Sequence, residues 1–152
     1  MNRWVPAICA GIIGVGAFAA QAAQLRVTRT ELCTVSSTVA VVDVVDVETR
    51  WTAAADGGIE RVAFVDVAHV VKGAPSKSLE VTMRGGVIDG VRHWVEDEPT
   101  LLVNGRYLLF LDEVDGDTRV IGGDQGWIRI LPTTNSRGES LQDALRSVEV
   151  CR

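Results

Sequence analysis

Valine and other β-branched residues recur in runs along this chain, and glycine, proline and aspartate bound the runs. Such residues favour a pleated, half-buried surface. The first run, Val35–Trp51, does not alternate strictly. Val39 and Val41 share one parity, Val42 and Val44 the other, and Asp43 and Asp46 stand three apart. A β-bulge between Asp43 and Val45 would shift the parity and bend the strand, leaving both acids in solvent. Asp56-Gly57-Gly58 then signals a turn, because glycine reaches positive φ without strain. A second long strand, Ile59–Val71, ends at Lys72-Gly73-Ala74-Pro75, where proline stops a ladder.

The spacing predicts a third strand over Ser78–Arg84, with Leu79, Val81 and Met83 on one face, ended by Gly85-Gly86. Residues 87–104 read as a long acidic loop with a short strand around Val91 to Val95, and long loops in compact domains often carry function. After the Asn104-Gly105 turn, Arg106–Leu111 is the most apolar strand and is expected at the centre. Asp112–Asp117 is expected to turn the chain, followed by short strands over Thr118–Gly122 and Gly126–Leu131. Leu141, Ala144, Leu145 and Val148 follow helical spacing, and Ser140 with Asp143 suits a helix start. These elements predict a mainly β fold: a small barrel of five to six strands with a short C-terminal helix, in one domain over residues 24–152.

The first residues carry a different pattern. Arg3 is followed by an uncharged apolar stretch to Ala20 and then by Ala20-Gln21-Ala22. A positive start, a short apolar core and small residues at a cleavage position are the three parts of a secretory leader. Residues 1–23 are therefore expected to be a cleaved signal peptide, with Cys9 discarded inside it. The product is expected in the periplasm or the medium. No later stretch is apolar for long enough to span a bilayer as a helix.

Composition narrows the partners. The chain carries 15 Lys plus Arg against 20 Asp plus Glu, a formal net charge of −5. An acidic domain is repelled by phosphate backbones, so a nucleic-acid partner is not expected. Beyond the leader only Cys33 and Cys151 remain, and in an exported chain an even pair reads as one disulfide. It would tie the first strand region to the C-terminus.

No constellation of side chains points to a reaction. The two histidines are His69, on a predicted strand, and His93, in the acidic loop. No G-x-S-x-G elbow accompanies them, and the chain offers too few His and Cys for zinc. The acids of Asp112–Asp117 sit beside a glycine but lack EF-hand spacing, so they read as solvated turn residues. No cofactor and no metal are expected. Trp94 and Trp127 stand out. A tryptophan in a long loop is either a binding anchor or a lid folded back on the barrel. His93, Trp94, Glu96, Asp97 and Trp127 form the candidate binding surface.

Val65-Asp66-Val67-Ala68-His69-Val70-Val71-Lys72-Gly73, then Leu79 to Gly86, then Gly105-Arg106-Tyr107-Leu108-Leu109-Phe110-Leu111 follow in an order that resembles the netrin-like domains and tissue inhibitors of metalloproteinases. The pattern is similar also to uncharacterised exported bacterial proteins, over roughly residues 31–131. The resemblance implies an OB-like barrel. It does not carry over the inhibitors' zinc-chelating N-terminal cysteine, because Cys33 lies some ten residues beyond the expected mature start. The function expected is thus an exported, non-enzymatic module that binds a protein or peptide. An enzyme using Asp43, His93 or Glu96 is the first alternative. A barrel binding a saccharide or small ligand, with Trp94 or Trp127 exposed beside a groove, is the second.

Overall fold

A computed structural model describes residues 26–52, 57–132 and 139–152. The expected leader and its cleavage site lie outside the described residues. The elements run α1 (Arg29–Val35), β1 (Thr38–Trp51), β2 (Ile59–Lys72), β3 (Ser78–Arg84), β4 (Gly86–Ile88), β5 (Val91–His93), β6 (Arg106–Val114), β7 (Asp117–Val120), β8 (Trp127–Ile130) and α2 (Leu141–Ser147), with 3-10 turns at Gly123–Gln125 and Glu149–Cys151.

The main sheet is antiparallel and mainly sequential: β3-β2-β1-β6-β7, with β8 also pairing β6. β7 and β8 occupy one edge of β6 in succession. β7 pairs Leu111–Val114 and β8 pairs Arg106–Leu109, with residues 121–126 looping out between them. At the two ends of the order, β3 and β7 lie alongside one another, so the sheet curls, with no ladder joining them.

The valine runs follow from burial on both faces of this sheet. Ala40, Val42 and Val44 of β1 join Tyr107, Leu109 and Leu111 of β6, Ala63 and Val65 of β2 and Val81 and Met83 of β3 in one core inside the curl. Val39 and Val41 face the other way, with Leu108 and Phe110, onto Leu32, Cys33, Ala144, Val148 and Cys151 of the terminal helices and turns. The central strands are apolar on both parities because helices cover their second face. The expected bulge is present at Val45, which lacks a partner between the Val44–Val65 and Asp46–Phe64 pairs. It returns Val47 to the core that Val44 faces. Further register shifts leave Ala68 and Val71 of β2 unpaired.

Helix α1 differs from the sequence expectation, which placed Cys33 in a strand region. Thr28 and Glu31 form a reciprocal capping box, and Leu32 and Cys33 are the buried positions. Lys72 closes the other end of α1: its Nζ donates to Cys33 O and Ser36 O, both at 2.6 Å. Gly73 lets that corner close, because at φ +86° a Cβ there would stand 2.6 Å from Ser37 O. Cys33 and Cys151 form the expected disulfide, with Cα atoms 5.0 Å apart. Helix α2 is capped by Ser140, as expected, and Leu141, Ala144, Leu145 and Val148 all face the second core. The motif residues Lys72, Gly73 and Tyr107 therefore serve the scaffold; the Tyr107 hydroxyl accepts from Leu102 N–H at 3.1 Å.

One further expectation is corrected. Asp112–Val114 continue β6, and only Asp115-Gly116, both at positive φ, make the turn. Trp51, the last residue of β1, is 47% exposed.

Candidate functional site

The expected loop at 87–104 begins with an ordered hairpin. Strand β3 stops at Arg84, where Gly85 at φ +80° turns the chain; a Cβ there would stand 2.7 Å from His93 O. Gly85 N–H donates to Ile59 O at 2.7 Å. β4 and β5 pair Gly86–His93, Val87–Arg92 and Ile88–Val91 across the turn Asp89-Gly90, both left-handed. That dipeptide is a strong two-residue hairpin signal, and only β5 overlaps the short strand expected around Val91 to Val95. Trp94, Val95 and an acidic turn through Asp97 (φ 60°) lead back to the body.

Both ends of this excursion are fastened. Arg84 N–H and Nε donate to the two carboxylate oxygens of Glu98 at 2.8 and 3.2 Å. Half-buried Arg61 donates from Nε to Gly85 O and from a terminal nitrogen to Pro99 O, both at 3.2 Å. Burial pushes the Arg61 guanidinium below its ordinary value, and the charge of Glu98 opposes that shift. His93 Nδ1 accepts from Ile59 N–H at 3.3 Å. The neutral ring then carries its proton on Nε2.

Between hairpin and body lies a cavity of about 290 Å³, lined by Arg61, Arg84, Gly85, Gly86, Val87, Arg92, His93, Trp94, Val95, Glu98 and Thr100. Three arginines and one glutamate make this lining cationic in an acidic chain. Arg92 is exposed and has no side-chain partner among the described residues. Trp94 is 81% exposed, so its indole is not a lid folded onto the core.

Of the five expected surface residues, His93 and Trp94 meet at this cavity. Glu96 and Asp97 are exposed on the adjoining turn and do not line it. Trp127 lies away from this cavity. Its place opposite Leu109 points it into the first core, where its ring meets Tyr107 edge-on at 5.8 Å. Arg61, Arg84, Arg92 and Glu98 were missed, since nothing in their spacing shows that strand ends from β2, β3 and β5 converge.

The residues named for an enzyme do not gather. Asp43 lines a different cavity, where Arg106 grips it at 2.6 and 2.7 Å. That hydrogen-bonded guanidinium holds the Asp43 carboxyl below the ordinary carboxylate value. Asp117, in the acidic stretch, pairs with Arg119 at 2.9 Å. Among the described residues no three His, Cys, Asp or Glu side chains cluster as a metal site, and no helix is long and apolar enough to cross a membrane. The chain matches no protein-family model and no curated protein.

Proposed function

We propose that this protein is an exported, non-enzymatic binding module that holds a protein or peptide partner against the 86–98 hairpin and its cavity. The observation that carries the proposal is Trp94, 81% exposed on the rim of a cavity within an ordered, fastened excursion. Isolated exposed apolar residues are ordinary. Here Val87 and Val91, each about half exposed, accompany Trp94 in one short segment. Large aromatics beside arginine are the side chains that most often anchor a partner. Export is supported by the leader pattern and by the Cys33–Cys151 disulfide, a bond that persists in oxidising compartments. A netrin-like scaffold is supported by the curled six-stranded sheet and terminal helix.

Expressed as the full precursor and recovered after export, the protein would serve as bait against envelope and medium fractions of its source. A partner retained by wild type and lost by Trp94→Ala is the expected result. Capture that ignores the substitution, or none together with turnover of some substrate, refutes the proposal. The saccharide reading draws on the same geometry, because an exposed indole beside a small cavity can stack on a sugar ring. Oligosaccharide binding that needs Trp94, with no protein captured, would replace the first reading.

A further inference from the structure

We infer that the hairpin takes an extended peptide carrying a carboxylate and, two residues away, an apolar side chain, added as a strand beside β5. This rests on the binding-module reading above and names its ligand class.

β4 is the hairpin strand packed toward β1 and β2, which leaves β5 on the outside. Among the described residues, its ladder is with β4 alone. In a hairpin closed by a two-residue turn, the pairs Ile88–Val91 and Gly86–His93 exchange the cross-strand bonds. The N–H and C=O of Arg92 then point away from β4, and they have no other backbone partner among the described residues. An incoming extended chain can satisfy both, as strand addition at a sheet edge requires. A sugar would leave this backbone pair unused, which favours the peptide.

Side chains set the preference. Arg92 and Trp94 are two residues apart and line the same cavity. A neighbouring strand places its own alternate side chains opposite them, so a carboxylate meets Arg92 and an apolar group meets the indole. Arg84 is already paired with Glu98, and half-buried Arg61 is tethered to two carbonyls, so Arg92 is the lining arginine without a side-chain partner among the described residues.

The test titrates the exported protein, labelled with ¹⁵N, with blocked peptides of about seven residues carrying Glu and Phe two positions apart, and with their Gln counterparts. Shifts should centre on the amides of residues 86–98. The Glu peptide should bind about tenfold tighter than the Gln peptide, less so at high salt. Arg92→Gln should abolish that difference, while Trp94→Ala should weaken both peptides. Arg129→Gln, on β8, controls for net charge and should change nothing. Equal binding of the two peptides, shifts centred elsewhere, or saturation of these amides by a uronate oligosaccharide but by neither peptide would overturn the inference. Trp94-dependent capture of a partner alongside indifferent peptides would sink the ligand class and spare the binding-module reading. Capture that ignores Trp94 would sink that reading regardless of the peptides.

Discussion

Removing the Cys33–Cys151 cross-link should lower stability by about 3–5 kcal/mol without changing the sheet. The bond closes a loop with a sequence separation of 118 residues. Chain entropy alone then assigns it about 5 kcal/mol through the unfolded state, the upper end of what disulfides contribute. Both sulfurs are in the buried second core beside Leu32 and Val148, so a Cys33→Ala/Cys151→Ala variant also loses packing, about 1 kcal/mol. Strain and residual unfolded-state structure act in the opposite direction. Urea unfolding, followed by tryptophan emission and far-ultraviolet dichroism, separates these contributions. With a slope of about 2 kcal/mol per molar, the midpoint should fall by about 2 M, and the slope itself should rise as the unfolded chain expands. Phosphine reduction of the wild type should reproduce most of the loss without the packing change. A midpoint shift below about 0.5 M in both experiments would refute the entropic argument. A full shift in the alanine variant alone would assign the cost to packing instead.

Other expectations follow from single contacts. Lys72→Met strips two 2.6 Å bonds from the end of α1 and should cost about 2 kcal/mol, with hydrogen exchange accelerated first in residues 29–36. Gly73→Ala should cost about 2–3 kcal/mol, because φ +86° and Ser37 O both oppose a side chain. Gly58→Ala, which meets only ordinary contacts, should be nearly neutral by the same denaturation assay. The Asp43–Arg106 pair gives a pH signature. Because the Asp43 carboxyl is depressed, its contribution is complete above the ordinary carboxylate value and fades as pH falls through the lower, folded value. Both partners are nearly half exposed, so Asp43→Asn should cost under about 1 kcal/mol at pH 7. That gap should shrink near pH 3, and a gap unchanged by acid would contradict the assignment.

Much of the scaffold was legible because periodicity and turn chemistry are local. β2, β3, α2 and the Val45 bulge each came from residues adjacent in sequence. The two parities of β1 were visible, but their cause was not. A strand covered on its second face by helices from both ends of the chain looks, in sequence, like an irregular alternation. Helix α1 was missed despite the Thr28–Glu31 capping signature, because the β-branched residues around it argued louder than a seven-residue helix could. The site was half legible. A tryptophan in an acidic segment attracts notice, and Trp94 lines the cavity. Trp127 opens a four-residue strand between Gly126 and Leu131-Pro132, too short for its parity to fix a face. The arginines come from three strands, and only the folded sheet brings them together.

The fastened neck of the hairpin has a consequence for variation. Glu98 is already clasped by Arg84, and Arg61 binds both Gly85 and Pro99, so whatever lies between is a loop whose ends the body has joined. Lengthening such a segment adds closure entropy only logarithmically, about 0.6 kcal/mol per doubling. Foreign sequence spliced between residues 87 and 96 should therefore be tolerated, making the crown of this molecule a place where one scaffold can present many different surfaces.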